Sequence, residues 1–499
     1  MGRQRNNDTA FFGHPRGLST LFFTEMWERF SYFGMRAILL FYMYFSVTKG
    51  GLGINQKTAA SIMSIYGALI YLSGIIGGWI ADRLLGPQRT FFYGGILIMF
   101  GHISLALPFG RGALLVSIIL IVLGTGLLKT NGSTMVGSLY SENDYRRDAG
   151  FSIYLFGVNL GAAIAPWAVP WAANGFGLHL FHGATNYHAG FALAAVGMFI
   201  GLVQYRLSCR KYLPEQTLHP DDPIKPEQTR KVATWVIAWI LLFAILLAIL
   251  AFTNRLTIPS VIMLFTVIAV ILPVYYFVLM LTSKKVNHLE RQRVRAYIPL
   301  FLSAMIFWII DESGSVVLAL FAAQRTILHI GSWHFVPANF QTLNPLCMLI
   351  FMPLFAAIWG HFKWQPSAPR MFSIALILAG ISFAFMALPA LIHGTTNGKV
   401  SPFWLICSWI LVGLGKAFLA PVGQATTTQL APNAFKSQMM SMYFLADAAG
   451  QALNSQIVKF YSSANEVPYF LTIGITGIFF GLILLLCAKR ISRAMALDK

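Results

Sequence analysis

The chain has 499 residues, of which 57% are hydrophobic and only 11% are charged. Soluble domains carry about 25% charged residues, so this composition excludes an ordinary soluble protein and predicts one that folds in lipid. The net charge of +19 does not indicate a nucleic-acid partner, because the basic residues stand in short segments between long apolar runs.

Apolar segments that are long enough to cross a bilayer recur along the chain, in an order of six, two and six. The first six predicted spans cover 18–45, 58–83, 90–109, 113–138, 150–173 and 188–207. The next two cover 232–252 and 258–282. The last six cover 297–323, 340–361, 371–392, 402–428, 437–462 and 467–488.

This order predicts an all-α membrane protein with two six-helix bundles, at 18–207 and 283–488. A proline-rich linker, 208–231, and two inserted helices, 232–282, would join the bundles. The inserted helices contain no Asp, Glu or Lys, so we expect them to lie at the periphery and face lipid.

The loops between the spans carry two further signals. Basic residues cluster in the loops after even-numbered spans, which predicts that the linker and both termini, 1–17 and 489–499, are cytoplasmic. The loop after the second span, Gly78–Arg89, resembles the G-x-x-x-D-R-x-x-G-x-x-R signature of the major facilitator superfamily. This resemblance implies the major facilitator fold, in a multi-pass transporter of the cell membrane.

Nine charged residues lie within the predicted spans, where each ionised group costs about 3 kcal/mol unless it is paired or faces water. They are Glu25, Glu28, Arg29, Arg36, Lys129, Asp311, Glu312, Lys416 and Asp447. Leu and Ala would pack helices at lower cost, so we predict that these residues line a central cavity rather than serving only as salt bridges. Five are acidic and four are basic, and one bound proton would neutralise the excess. The set therefore predicts coupling to protons, without another cofactor.

Aromatic and amide residues accompany the charges. In the first span, the spacing of the four charged residues places them on one helical face with Tyr32. Similar side chains in several spans are candidates for substrate contacts, although packing can also explain each of them. They are Phe33, Tyr66, Asn159, Trp308, Asn344, Tyr443 and Asn454. The cysteines and histidines lack the spacing of a metal site.

A longer motif in the first span points to one transporter family. Glu25–Ala37 closely resembles the E-x-x-E-R-F-x-Y-x-G-x-R stretch of the proton-dependent oligopeptide transporters, the POT or PTR family. Asp148–Gly161 resembles the second signature of that family, and the similarity extends over almost the whole chain, including the two inserted helices of bacterial members. The resemblance implies a symporter that imports di- and tripeptides with protons by alternating access.

The resemblance also implies roles for individual residues. Arg36 would bind the peptide carboxyl group with help from Lys129. Arg36 would also pair with Glu312, beside Asp311, as a gate. Proton coupling would involve Glu25, Glu28, Arg29 and Glu312. Further substrate contacts would come from Tyr32, Tyr66, Asn159, Trp308 and Asn344.

The chain departs from the family pattern at the site for the peptide amino group. Lys416 occupies the acidic position of the family's G-E-x-x-x-x-P stretch, and we predict that it pairs with Asp447 in the next span. If it does not, a transporter of another small organic anion or peptide-like solute becomes the alternative. A second gate pair of the family is replaced by Gln56 and Gln324.

Other functional classes agree less well with the sequence. A membrane sensor usually carries a soluble signalling domain, and no segment outside the spans is long enough for one. An enzyme is not expected, because no nucleophile–base pair or metal-ligand cluster is visible. We expect a monomer whose partners are small peptides, protons and the lipid bilayer.

Overall fold

The structure is a computed structural model that describes residues 8–141, 144, 146–175, 185–362, 366–394 and 398–495. The outermost parts of the predicted terminal segments, 1–7 and 496–499, lie outside these residues.

The first bundle contains six long helices joined by short connections. They are α1 (Arg16–Tyr44), α2 (Gln56–Ile80), α3 (Pro87–Ala106), α4 (Gly110–Ser138), α5 (Arg147–Ala173) and α6 (Tyr187–Tyr212). A π-helical turn, Ala81–Leu85, extends α2. Gly86 then adopts a φ of 80°, which glycine tolerates without strain, and Pro87 begins α3 at the position where proline is favoured.

Two inserted helices follow the first bundle. A 3-10 turn, Glu215–Leu218, precedes α7 (Pro226–Phe252) and α8 (Ile258–Thr282). α7 has no buried residue, as expected of a helix at the periphery. The same expectation is wrong for one face of α8. On that face Thr266 hydrogen-bonds the second bundle, and Ala269 is fully buried.

The second bundle has a similar pattern with two breaks. Its long helices are α9 (His288–Glu312), α11 (Leu343–Phe362), α12 (Ala368–Phe385), α14 (Phe403–Gln429), α15 (Lys436–Ile457) and α16 (Glu466–Met495). Two short helices, α10 (Val317–Arg325) and α13 (Leu388–His393), continue α9 and α12. A hairpin of β1 (His329–Ile330) and β2 (Trp333–His334), then a 3-10 turn (Pro337–Thr342), connect α10 to α11.

The described residues contain fourteen long helices, which confirms the predicted number of spans. Eleven helical segments of the described chain are long and apolar enough to cross a membrane by length and composition alone. α1 does not meet that standard because of its charged residues, yet Glu25, Glu28, Arg29 and Arg36 are all buried. The first helix is therefore enclosed by the rest of the protein and not by lipid.

The two bundles are joined on one side of the membrane. We call the side with the β1–β2 hairpin the hairpin face, and the side where α1 begins and α16 ends the terminal face. Near the hairpin face, Asn339 Nδ2 donates to the Pro166 carbonyl oxygen at 2.8 Å. Gln324 Nε2 donates to Gln56 Oε1 at 2.9 Å. Several further hydrogen bonds between the bundles lie in the half of the protein nearest this face, so the bundles are tied together there.

Candidate functional site

The centre of the site is an ion pair that joins the two bundles. Arg36 Nη2 of α1 donates to Glu312 Oε2 of α9, and also to Ser315 Oγ at 2.8 Å. The pairing predicted for Arg36 and Glu312 is thereby confirmed. Arg36 Nε is buried and has no hydrogen-bond partner among the described residues.

A second charge cluster lies about two to three helical turns before Arg36 on the same helix. Arg29 forms an ion pair with Glu28, and its Nε lies 3.8 Å from Glu25 Oε1. Glu28 is fully buried, and the Tyr154 hydroxyl of α5 lies beside Glu25. Two carboxylates share one guanidinium, so the cluster carries a formal charge of −1 when both acids are ionised.

Asp311 and Glu312 are adjacent in sequence, but their side chains contact different bundles. Consecutive residues of a helix point about 100° apart, so Glu312 reaches α1 while Asp311 faces the second bundle. Lys416 Nζ of α14 donates to Asp311 Oδ2 at 2.8 Å, and Asn344 Nδ2 of α11 donates to Asp311 Oδ1 at 2.7 Å.

The predicted ion pair between Lys416 and Asp447 is therefore wrong. Asp311 would be a buried carboxylate without a counter-charge if Lys416 turned away, which explains the choice of partner. Asp447 instead accepts a hydrogen bond from Gln451 Nε2 at 2.7 Å. The Tyr71 hydroxyl also lies beside the Asp447 carboxylate.

Lys129 and Asp447 remain without an ion-pair partner in the described part of the chain. Lys129 Nζ lies 3.6 Å from the centre of the Tyr71 ring, where a cation is attracted by the aromatic face. Tyr71 of α2 therefore lies between the Lys129 ammonium and the Asp447 carboxylate. The sequence analysis missed Tyr71, and its only signal was a second tyrosine in the span that contains Tyr66.

The remaining predicted contacts differ in position. Lys416 Nζ lies 5.3 Å from the Trp308 ring centre, and the rings of Tyr32 and Tyr66 lie 6.3 Å apart. Asn159 Nδ2 donates to the Leu155 carbonyl oxygen of its own helix, at 2.9 Å. Among the described residues, no group of three or more His, Cys, Asp or Glu side chains could hold a metal ion.

The assignment of Asp311 as the partner of Lys416 can be tested by stability. Lys416→Met leaves the Asp311 carboxylate without a counter-charge, and breaking a buried pair costs roughly 3–5 kcal/mol. We expect a lower unfolding temperature in detergent, largely restored by adding Asp311→Asn. Lys416→Met with Asp447→Asn is the matched control. If Asp447→Asn restored the unfolding temperature and Asp311→Asn did not, the pairing of Lys416 with Asp311 would be contradicted.

Comparison with known proteins identifies the family. Residues 88–477 match the family model described as "POT family". The chain belongs to the POT family. It is 44% identical to the "Di-/tripeptide transporter" of Lactococcus lactis subsp. cremoris over 99% of both chains. It is 48% identical to "Uncharacterized transporter YclF" of Bacillus subtilis (strain 168), over 97% of this chain and 96% of that protein.

Solved structures agree with this assignment. A crystal structure of the peptide transporter POT in complex with sulfate superimposes with a TM-score of 0.92, at 50% identity and 97% coverage of both chains. POT-family members are transporters, so this chain is a membrane transporter of the major facilitator type and not an enzyme.

The expectation of a monomer is not supported by the family. A crystal structure of tetrameric PepTSo2 superimposes with a TM-score of 0.76 at 25% identity, over 95% of this chain and 98% of that one. The fold alone is thus compatible with an oligomer.

Proposed function

We propose that this POT-family protein is a proton-coupled symporter that imports di- and tripeptides by alternating access. The observation that carries the proposal is the ion pair between Arg36 and Glu312, because it joins the bundles at a buried point. A peptide carboxylate that binds Arg36 competes with Glu312 and so weakens the closed hairpin face. The similarity to a di-/tripeptide transporter supports this substrate class.

We assign proton coupling to Glu25, Glu28 and Arg29 of α1, which we call the α1 cluster. Glu312 is a second acid, and its ion pair with Arg36 breaks when substrate binds Arg36. The cluster of Glu25, Glu28 and Arg29 becomes neutral when one carboxyl group takes a proton. A buried net charge is costly, so proton binding changes the stability of this enclosed arrangement. Protonation also removes one ionic contact of Arg29, which frees the guanidinium to move with the helix.

For the peptide itself we propose recognition by charge. Arg36 and Lys129 bind the carboxyl group, and Asp447 accepts the amino group because it has no cationic partner among the described residues. Tyr71, between Lys129 and Asp447, separates the two charges as a zwitterion requires. The other proposed contacts are Tyr32, Tyr66, Asn159, Trp308 and Asn344.

A second candidate is a transporter of another small organic anion or peptide-like solute. The Lys416 side chain is 21% exposed although it is paired with Asp311, so a second anionic group of a substrate can reach it. A substrate without a free amino group would suit this arrangement better than a zwitterion.

The orientation is part of the same proposal. We assign the terminal face to the cytoplasm and the hairpin face to the outside of the cell membrane. The arrangement is then closed outward, and the bundles at 18–207 and 283–488 move as units on either side of the site. The linker and the inserted helices connect these units.

The test is uptake into proteoliposomes. With an inward proton gradient, labelled dialanine should accumulate, and a protonophore should abolish the accumulation. Unlabelled N-acetyl-dialanine should compete at least tenfold less well than dialanine. Accumulation that ignores the protonophore would contradict proton coupling. Stronger competition by the acetylated compound would favour the organic-anion candidate.

A further inference from the structure

A second cavity lies at the terminal face, apart from the central site. It has a volume of about 660 Å³ and lies between the start of α3, the end of α6 and the turn Glu215–Leu218. Three arginine side chains line it, and we call it the arginine cleft. They belong to Arg89 of α3 and to Arg206 and Arg210 of α6.

Hydrogen bonds fix the walls of the arginine cleft. Gln88 Nε2 donates to the Pro214 carbonyl oxygen at 2.9 Å and to Thr217 Oγ1 at 2.6 Å, so the turn is tied to α3. Tyr205 of α6 donates its hydroxyl to the Gln88 carbonyl oxygen at 3.1 Å. Gly86 permits this close approach, because a Cβ there would lie 2.6 Å from the Leu218 carbonyl oxygen. The cleft is therefore a preformed feature.

The arginine cleft carries an excess of positive charge. All three arginines are exposed, and none forms an ion pair within the described part of the chain. Glu215 is the only acidic residue in the lining, which leaves a formal charge of +2. Other arginines near the same face do have acidic partners, such as Arg83 with Asp222. The amino end of α3 adds the positive end of a helix dipole.

An apolar seam continues from the arginine cleft toward the middle of the membrane. On α3, Tyr93 and Phe100 follow Arg89 at spacings of 4 and 11, which keeps them on one helical face. On α6, Phe199 and Val203 precede Arg210 at spacings of 11 and 7. These four side chains are 40–55% exposed. A ligand of this surface would thus have an anionic head and an apolar body.

We propose that the arginine cleft binds an anionic phospholipid of the surrounding membrane. The phosphodiester headgroup lies among the three guanidinium groups, whose planar forks suit phosphate oxygens. The acyl chains lie along the seam of α3 and α6. Basic pockets between membrane helices at the cytoplasmic interface suit such headgroups, whereas a soluble phosphate would not use the exposed seam. The site is separate from substrate transport and adds a second ligand to this protein.

The experiment measures phosphatidylglycerol bound to the full-length protein in detergent, by native mass spectrometry over a lipid titration. Each basic group near an anionic headgroup contributes about 1 kcal/mol, so Arg89→Gln, Arg206→Gln and Arg210→Gln together should weaken binding at least tenfold. Arg210→Gln alone should weaken it about fivefold. The matched control replaces Lys489, Arg490 and Arg493 of α16 by Gln, which removes the same charge from the same face.

Retention of phosphatidylglycerol by the control, with loss in the cleft variants, is the expected result. Equal loss in both triple variants would mean general attraction by charge and would overturn the proposal. Phosphatidylcholine should bind at least tenfold more weakly than phosphatidylglycerol. Glycerol 3-phosphate tests the soluble source of the same chemistry. If it displaces the lipid at equal concentration, the headgroup alone is recognised and the membrane assignment is wrong.

Discussion

Glu28→Gln is expected to abolish the accumulation of dialanine driven by a proton gradient while leaving exchange of peptide across the membrane. The substitution removes one negative charge from the cluster of Glu25, Glu28 and Arg29. The cluster is then neutral while Glu25 is ionised, as it would be with a proton permanently bound at Glu28. A carrier in that state can still alternate with substrate, but it cannot bind or release a proton at Glu28. We expect at least a tenfold fall in accumulation.

Uptake driven by a proton gradient and counterflow exchange should be measured on the same proteoliposomes. Glu466→Gln is the matched control, because Glu466 is fully buried and its Oε2 lies 3.3 Å from Arg325 Nε in the second bundle. That variant loses a buried ion pair without touching the α1 cluster, so it should reduce both activities in proportion. Full gradient-driven accumulation in Glu28→Gln would refute the assignment of the proton site.

The sequence allowed the helices and the set of buried charges to be predicted, since both depend on local chemistry. Long apolar runs identify spans, and a charge inside a span must be paired or face water. The pair of Arg36 and Glu312 was also predictable, from the resemblance to the family. These features need no knowledge of how the helices are rotated against one another.

The partner of Lys416 could not be predicted, because it depends on that rotation. Asp311 and Asp447 are both acids in neighbouring helices, and only the packing of α14 against α9 brings Lys416 within 2.8 Å of Asp311. Tyr71 was missed for a related reason. Its position between Lys129 and Asp447 arises from contacts among α2, α4 and α15, and no spacing within one helix records such contacts.

The prediction for Arg36→Lys follows from the geometry of its pair. Lysine keeps the positive charge but loses the planar fork of the guanidinium. Its single nitrogen therefore cannot bind a peptide carboxylate while a second nitrogen holds Glu312 or Ser315. Hydrogen bonds to charged groups contribute roughly 1.5–3 kcal/mol each. Loss of one such bond to the carboxylate should raise the Kd for dialanine by roughly 10- to 150-fold.

Binding of dialanine by Arg36→Lys should be measured by calorimetry in detergent, beside Arg325→Lys as the matched control. Arg325 is also buried and also pairs with a glutamate, but it lies at the end of α10, outside the proposed peptide site. A general cost of replacing a buried arginine would weaken binding in both variants alike. A selective loss in Arg36→Lys assigns the carboxylate to Arg36. Unchanged affinity in Arg36→Lys would remove Arg36 from the substrate site and leave it only as the link between the two bundles.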